Sequence, residues 1–225
     1  MSDTISAISK NMSQDIQSLN TISQNVANIS TPSYKAQRIS PSFNQTLQKL
    51  EFNPVLDLRE GPIVQTGREL DIAITGKGFF RIEQDNQIIL ARSGSFKVDS
   101  QGRLVTDFGG LVMSDTGPVY LNQGKVKIYS NGDIWQSDQQ IGKLNIVNVM
   151  DVSQLRSTAG GYLYKGELVE ETGSLLQGAL EQSNVNAADE TIKLMELSRH
   201  IESIQRAIST YDKVLDIGIN QIGDK

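Results

Sequence analysis

Leu194-Met195-Glu196-Leu197-Ser198-Arg199-His200-Ile201-Glu202-Ser203-Ile204-Gln205-Arg206-Ala207-Ile208 is the stretch whose reading decides the fold. Its seam residues Leu194, Leu197, Ile201, Ile204 and Ile208 recur at gaps of three and four, and the run continues through Tyr211, Leu215 and Ile222, interrupted at Gly218. That spacing predicts a helix with an a/d seam, with Glu196, Arg199, Glu202, Arg206 and Lys213 largely off it. A stripe so narrow needs a partner. The opposite end of the chain offers one, because Ile5, Ile8, Met12, Leu19, Ile22, Val26 and Ile29 follow the same spacing, broken where Asp15 takes the seam position beside Ile16. The expectation is an α+β fold in which the N- and C-terminal helices pair as a coiled-coil layer around a central, mainly antiparallel β domain.

Composition sets the limits. A chain of 225 residues, 38% hydrophobic and 21% charged, can bury one good core or two small ones. No apolar run approaches the roughly 18 residues of a membrane-spanning helix. A net charge of -5 and the lack of any Lys/Arg cluster argue against a nucleic-acid partner. Cysteine is absent, which removes disulfides, zinc-thiolate sites and thiol catalysis together. The first residues lack a basic segment followed by an apolar one, so no cleavable secretory signal is expected.

Residues 3–29 read as the first helix, with Ser2 or Asp3 able to cap its free N–H groups. Asp3, Lys10 and Asp15 stand almost alone there among Ser, Thr, Asn and Gln. Uncharged polar groups desolvate at lower cost than ions, so this helix suits a surface that meets protein. Pro32 drives Thr31 out of helical geometry and ends the run. Residues 35–60 read as a connector broken by Pro41 and Pro54, with a short helix expected over 44–51.

From Gly61 the period changes to two. Strands are expected over 69–74, 79–83, 87–92, 96–99, 103–106, 126–130, 133–136 and 143–149, separated by turns at Asp85-Asn86, Ser100-Gln101-Gly102, Gly109-Gly110, Asn131-Gly132 and Gly160-Gly161. Asn131-Gly132 signals a hairpin with a type I′ turn. Many short strands at this spacing indicate a small antiparallel β domain.

Gly76-Lys77-Gly78 tempts toward a phosphate loop, but the spacing of a Walker A sequence and its following Ser or Thr are missing. His200, the lone histidine, lies on the flank of a helix and reads as a surface or interface residue. No Gly-x-Ser-x-Gly elbow accompanies it. Glu167, Glu170 and Glu171 could pair as glycosidase carboxylates, yet adjacent acids in a polar turn read as solvated. Trp135, Tyr162 and Tyr164 read as packing residues. No catalytic, cofactor-binding or metal-binding residue is assigned.

Four motifs in order carry a resemblance. Asn25-Val26-Ala27-Asn28 leads to Thr31-Pro32-Ser33-Tyr34-Lys35. Leu70-Asp71-Ile72-Ala73-Ile74-Thr75-Gly76-Lys77-Gly78-Phe79-Phe80 follows. Then come Ala91-Arg92-Ser93-Gly94-Ser95-Phe96 with Asp99-Ser100-Gln101-Gly102-Arg103-Leu104-Val105-Thr106, and finally Ser183-Asn184-Val185-Asn186 with Glu190, Met195, Arg199 and Glu202. Together they resemble the signatures of the flagellar basal-body rod and hook proteins. Ser33 stands where that family usually has Gly, and would be strained if the position needs a positive φ. Ile201 and Ser203-Ile204 depart from an aromatic residue and an Asn.

The resemblance implies a non-enzymatic, axial building block, most like the proximal-rod subtype and next the distal-rod subtype. It implies residues 1–34 and 176–225 as the inner helical domain, 35–60 as connector and 61–175 as an outer β domain. It also implies export through the flagellar type III apparatus without signal cleavage, residence in the periplasmic rod of the basal body, and assembly with copies of itself and other rod proteins. Neither nucleic acid nor membrane insertion is expected, and contact with peptidoglycan or ring proteins is a further expectation. The competing class is a cell-wall-binding β module whose helices fold back as an intramolecular hairpin.

Overall fold

A computed structural model describes residues 2–44, 49–122, 124–171 and 173–223, with side chains left undescribed over 2–7, 9, 40–44, 49–53, 212 and 215–223. The chain divides into two compact units. One holds helix α1 (Ser2–Ala27), strands Gln37–Asn44 and Lys49–Leu56 up to Pro54, and helix α2 (Ala187–Gly223); the other holds residues 28–36 and 55–185.

In the first unit the expected fold is corrected. Among the described residues there are two α-helices, most of the rest of the chain lies in several antiparallel sheets, and no coiled-coil pair of terminal helices is evident. A coiled coil buries its a and d residues in the facing helix. Here Ile8, Met12, Leu19, Ile22, Val26, Leu194, Leu197, Ile201, Ile204 and Ile208 are only half-buried, and Tyr211 is 41% exposed. Polar contacts between the helices include Asn25 with Glu190 and, across the seam position that Asp15 occupies, Asp15 with His200 at 3.6 Å. A carboxylate at a seam position takes a polar neighbour instead of an apolar knob. The side chains of the seam residues Ile5, Leu215 and Ile222 lie outside the described residues. The stretch read as a connector carries the paired strands Gln37–Asn44 and Lys49–Leu56 instead of a short helix; residues 45–48 lie outside the described residues.

The second unit is built on a ten-stranded antiparallel sheet. Its main path runs Arg156–Thr158, Gly161–Leu163, Gln87–Ala91, Phe79–Gln84, Leu111–Ser114, Leu104–Thr106, Phe96–Val98. Gly117–Pro118 adds to Leu111–Ser114, while Ile146–Val149 bonds both Phe79–Gln84 and an outer strand, Leu168–Glu170. A three-stranded sheet (Val126–Ile128, Asp133–Gln136, Gln139–Lys143) and the pairs Ser174–Gln177 with Ile72–Thr75 and Ala179–Glu181 with Ile63–Gln65 complete it.

The alternation of side chains explains Phe79-Phe80. Successive strand residues point to opposite faces, and this central strand is covered on both. Phe80 meets Phe96 edge-on at 5.2 Å in a core with Ile72, Ile74, Ile82 and Leu104. Phe79 meets Tyr162 edge-on at 5.9 Å in a second core with Leu90, Val147 and Leu155. Burial pushes the Tyr162 phenol up to about 12.

The hairpin at Asn131-Gly132 forms, but only Gly132 has positive φ (92°). Gly132 N–H donates to Tyr129 and Tyr129 N–H to Asp133, a three-residue loop closed by a left-handed glycine and not a type I′ pair. Asp85-Asn86 and Ser137-Asp138 take the double positive φ instead.

Candidate functional site

Two residues from separate motifs, Lys35 and Arg92, meet in a buried clasp within the second unit. Glu181 is 1% exposed, and its carboxylate accepts Lys35 Nζ at 2.7 Å, Arg92 Nε at 2.6 Å and Gly61 N–H at 2.7 Å. Lys35, 2% exposed, also donates to Arg59 O at 2.8 Å. Burying a charge is tolerable only when it is paired and hydrogen-bonded, and these groups meet that demand through one another. Burial alone would raise the Glu181 carboxyl, but hydrogen bonds from Lys35 and Arg92 outweigh it and hold the group below its ordinary value. Burial pulls the Lys35 ammonium down despite the bond to Glu181.

Arg92 explains the glycine loop. Its guanidinium donates to Gly78 O at 2.7 Å, Ile74 O at 2.9 Å and Gly76 O at 2.7 Å. Gly76 (φ 97°) and Gly78 (φ 118°) adopt backbone that other residues resist, and the loop presents carbonyls to this cation. A phosphate loop would present N–H groups to an anion. Gly94 answers to a different constraint, since a Cβ there would lie 1.8 Å from Ile72 O.

Ser33 does take the left-handed conformation, φ 58°. Its N–H donates to Glu181 O at 2.9 Å and its hydroxyl to the same oxygen at 3.3 Å, so local bonds offset the strain of a side chain there. Asn184 binds the same crossing: its Oδ1 accepts Ala36 N–H at 2.7 Å and its Nδ2 donates to Asp57 O at 2.7 Å and Arg59 O at 2.8 Å. Upstream, Thr31 N–H bonds Asn28 O, Thr31 Oγ1 bonds Asn28 Oδ1, and Pro32 is exposed. Ile29 is half-buried in this turn, beyond the end of α1. Asp71, 1% exposed, accepts Thr66 Oγ1 at 2.6 Å and lies 3.1 Å from Arg68. Val185 is half-buried after the clasp.

The first unit repeats the device. Buried Asn25 pairs with Gln37 as a strand would, accepting its N–H and donating to its carbonyl, both at 2.9 Å. Asn25 also donates to Glu190 at 3.1 Å, and Glu190 takes Arg38 at 3.2 Å and Lys193 at 2.9 Å. Burial opposes the charge on Glu190, yet the bonds from Asn25 and Lys193 keep its carboxyl low. Asn186 caps α2, accepting Ala188 N–H at 3.1 Å and Asp189 N–H at 3.4 Å. Ala27 is an exposed last residue of α1.

Sequence reading quoted Lys35, Arg92 and Glu190 inside motifs without giving them a role, and it missed Glu181 altogether. The available signal was a carboxylate ending an otherwise apolar strand, Ala179-Leu180-Glu181. Residues weighed for chemistry scatter. His200 is 62% exposed. Glu171 accepts Asn148 Nδ2 at 2.9 Å, while Glu167 and Glu170 are exposed. Trp135 stands edge-on to Tyr129 at 6.3 Å. Among the described residues no His/Cys/Asp/Glu group could hold a metal ion, and no helix is long and apolar enough to cross a membrane.

Two family models match the segments that carry this architecture. Residues 73–141 match the flagellar hook protein FlgE/F/G D1 domain, and residues 176–222 match the flagellar basal body rod FlgEFG protein C-terminal region. The matched segments therefore belong to the class of flagellar hook and rod proteins. The basal-body rod protein FlgG of Buchnera aphidicola (from Acyrthosiphon pisum) is 30% identical, covering 88% of this chain and 91% of its own. The basal-body rod protein FlgF of Rhizobium meliloti is 29% identical and that of Caulobacter vibrioides 25%, each covering 91% of both chains. The chain belongs to the flagellar basal-body rod protein family, and it is a structural subunit of the rod, not an enzyme.

Proposed function

We propose that the chain is a proximal-rod subunit of the FlgF type that polymerises through the apolar stripes of α1 and α2. The observation that carries the reading is the exposure of α2. Its seam residues with described side chains, Leu194 to Tyr211, are half-buried at most, and Ile192, Met195 (57% exposed) and Val214 add further apolar surface. A helix with so much uncovered apolar area gains free energy by meeting other protein. Other copies of the chain and neighbouring rod proteins are its partners in this reading, with delivery by the flagellar type III export apparatus. The subtype is supported by alignment economy: the FlgG of Buchnera needs 238 positions to match 88% of this chain, and the FlgF of Caulobacter needs 225 to match 91%. Fewer insertions separate this chain from the FlgF relative.

The test places charges on the stripe. Ile201→Glu/Ile208→Glu is expected to leave the second unit folded, as reported by Trp135 fluorescence, and to remove the protein from isolated basal bodies. Incorporation at the wild-type level would overturn the role of α2. For the subtype, the gene should restore motility to a host lacking FlgF and not to one lacking FlgG; the reverse pattern would assign the distal rod.

A further inference from the structure

Six strands of the ten-stranded sheet form one unbroken antiparallel run: Arg156–Thr158, Gly161–Leu163, Gln87–Ala91, Phe79–Gln84, Ile146–Val149 and Leu168–Glu170. Both ends of that run are open edges, whereas the sheet's other ends are closed. At Phe96–Val98, Phe96 N–H donates to Leu70 O at 3.1 Å and Phe96 O accepts Arg68 Nη2 at 3.1 Å. At Gly117–Pro118, Gly117 O accepts the Ser114 hydroxyl at 2.7 Å, and Pro118 has no N–H to offer. An edge left with free N–H and C=O groups is a template for another strand.

Which groups are free follows from the alternation of an antiparallel ladder, in which successive residues bond to opposite neighbours. Glu171 N–H donates to Ile146 O at 3.0 Å, so Val169 and Glu171 turn their backbone groups inward and Leu168 and Glu170 turn theirs outward. At the opposite end Thr158 and Gly161 close a two-residue turn as a bonded pair, which turns Ser157 outward. Ser157 and Glu170 are exposed, and neither has a further partner among the described residues.

The two edges match in direction, face and charge. Strand direction alternates along the run, so the sixth strand is antiparallel to the first, and a second copy set beside it in the same orientation continues the alternation. Ser157 lies opposite Tyr162, Tyr162 opposite Leu90 and Leu90 opposite Arg81, on the face that also carries Phe79, Val147 and Glu170. Setting Ser157 against Glu170 of the second copy therefore keeps both faces aligned. That register sets the exposed Arg156 against Glu171 and Thr158 against Val169, which is 45% exposed. Opposite charges and β-branched side chains are favourable cross-strand pairs. Asn148, a neutral donor, occupies only Oε2 of Glu171, and neither Glu171 nor Arg156 has an ion pair among the described residues.

We propose that the Arg156–Thr158 edge of one copy pairs with the Leu168–Glu170 edge of the next, so that the β-rich units of neighbouring copies share one sheet. The two edges of one chain are five interstrand steps apart, about 24 Å, and do not meet within a copy. Two different edges make a heterologous contact, which repeats from copy to copy instead of ending at a dimer. The proposal rests on the rod reading and adds to it a contact separate from the helices.

The chain has no cysteine, so Ser157→Cys/Glu170→Cys reads the contact directly. Bonded residues on paired strands have Cα atoms about 5.5 Å apart, within reach of a disulfide. Mild oxidation of basal bodies carrying this variant is expected to give a ladder of dimers, trimers and larger species, with nothing beyond a dimer from either single variant. Adding Arg156→Glu should lower the cross-linked fraction at least threefold, and adding Glu171→Arg to that should restore it. Melting followed by Trp135 fluorescence checks that each variant folds. Basal bodies that contain the double-cysteine chain and give no ladder, or a charge swap that restores nothing, would overturn the proposal. Absence of the unaltered chain from basal bodies would instead refute the rod reading. Oxidation of the purified full-length variant in concentrated solution then decides the edge pairing, a ladder supporting it and monomers alone overturning it.

Discussion

Replacing Glu181 with Gln removes one negative charge from a place that water does not reach. The isostere keeps one oxygen acceptor but turns an amide donor toward Lys35 or Arg92, which sit 2.7 and 2.6 Å from the carboxylate. Two buried cations then face each other, with Glu60 at 3.9 Å from Arg92 as the remaining carboxylate nearby. Breaking a buried pair by removing one partner costs about 3–5 kcal/mol. For a chain of this size that lowers the melting temperature by roughly 6–20 °C. Trp135, the one tryptophan, reports the transition by its fluorescence. Acid titration supplies a second readout. Because the folded carboxyl is held below its ordinary 4.5, its stabilisation is complete above that pH and is lost as pH falls through the folded value. The gap between wild type and Glu181→Gln should therefore narrow below about pH 4.5. Adding Lys35→Met to Glu181→Gln should return part of the loss, since one of the opposed cations is gone; a coupling of about 0.5–3 kcal/mol is expected. A melting temperature within 2 °C of wild type, taking ~1 kcal/mol as the smallest loss of interest, would refute the account of the clasp.

Two further outcomes follow from single side chains. Asn25→Ala strips both partners from the Gln37 backbone and should cost about 1–3 kcal/mol, with amide exchange at Gln37 losing its protection; unchanged protection would show that the strand does not depend on Asn25. Gly94→Ala drives a methyl group into Ile72 O, and the expected loss is about 3 kcal/mol or more in urea unfolding, since a backbone atom cannot step aside as a side chain can.

The β module was legible because its signals are local. Strands Phe79–Gln84, Gln87–Ala91, Leu104–Thr106 and Asp133–Gln136 lie within a residue or two of the expected spans, each bounded by a Gly, Asn or Asp turn. The strands at 37–44 and 49–56 were not legible, because Pro41 and Pro54 read as breakers of a regular element. The helices were legible as helices but not in their pairing. The three-four spacing states which residues share a face and says nothing about what covers it. The clasp was the least legible feature. Lys35, Arg92 and Glu181 are bonded across separations of 146 and 89 residues, and no local period carries that information. Ser33 is the intermediate case: a motif position suggested positive φ, and the bonds to Glu181 show why a non-glycine residue is tolerated there.

The separation of those three charges bears on when the module can form. Lys35 and Arg92 are buried in the finished unit, and the carboxylate they share arrives near the end of the β-rich segment. A partial chain ending before Glu181 would have to bury two cations without a counter-charge, which costs several kcal/mol per ion. It would also lack the Asn184 bonds that tie residues 36, 57 and 59 together. Contacts of such long range are slow to form, because loop closure is unfavourable before any contact rewards it. The same residues that lock the finished unit therefore disfavour a compact incomplete one. For a subunit in the proposed export reading, this is a useful bias: the chain remains open while passing through a channel and closes once residues 181–184 have followed residues 33–36.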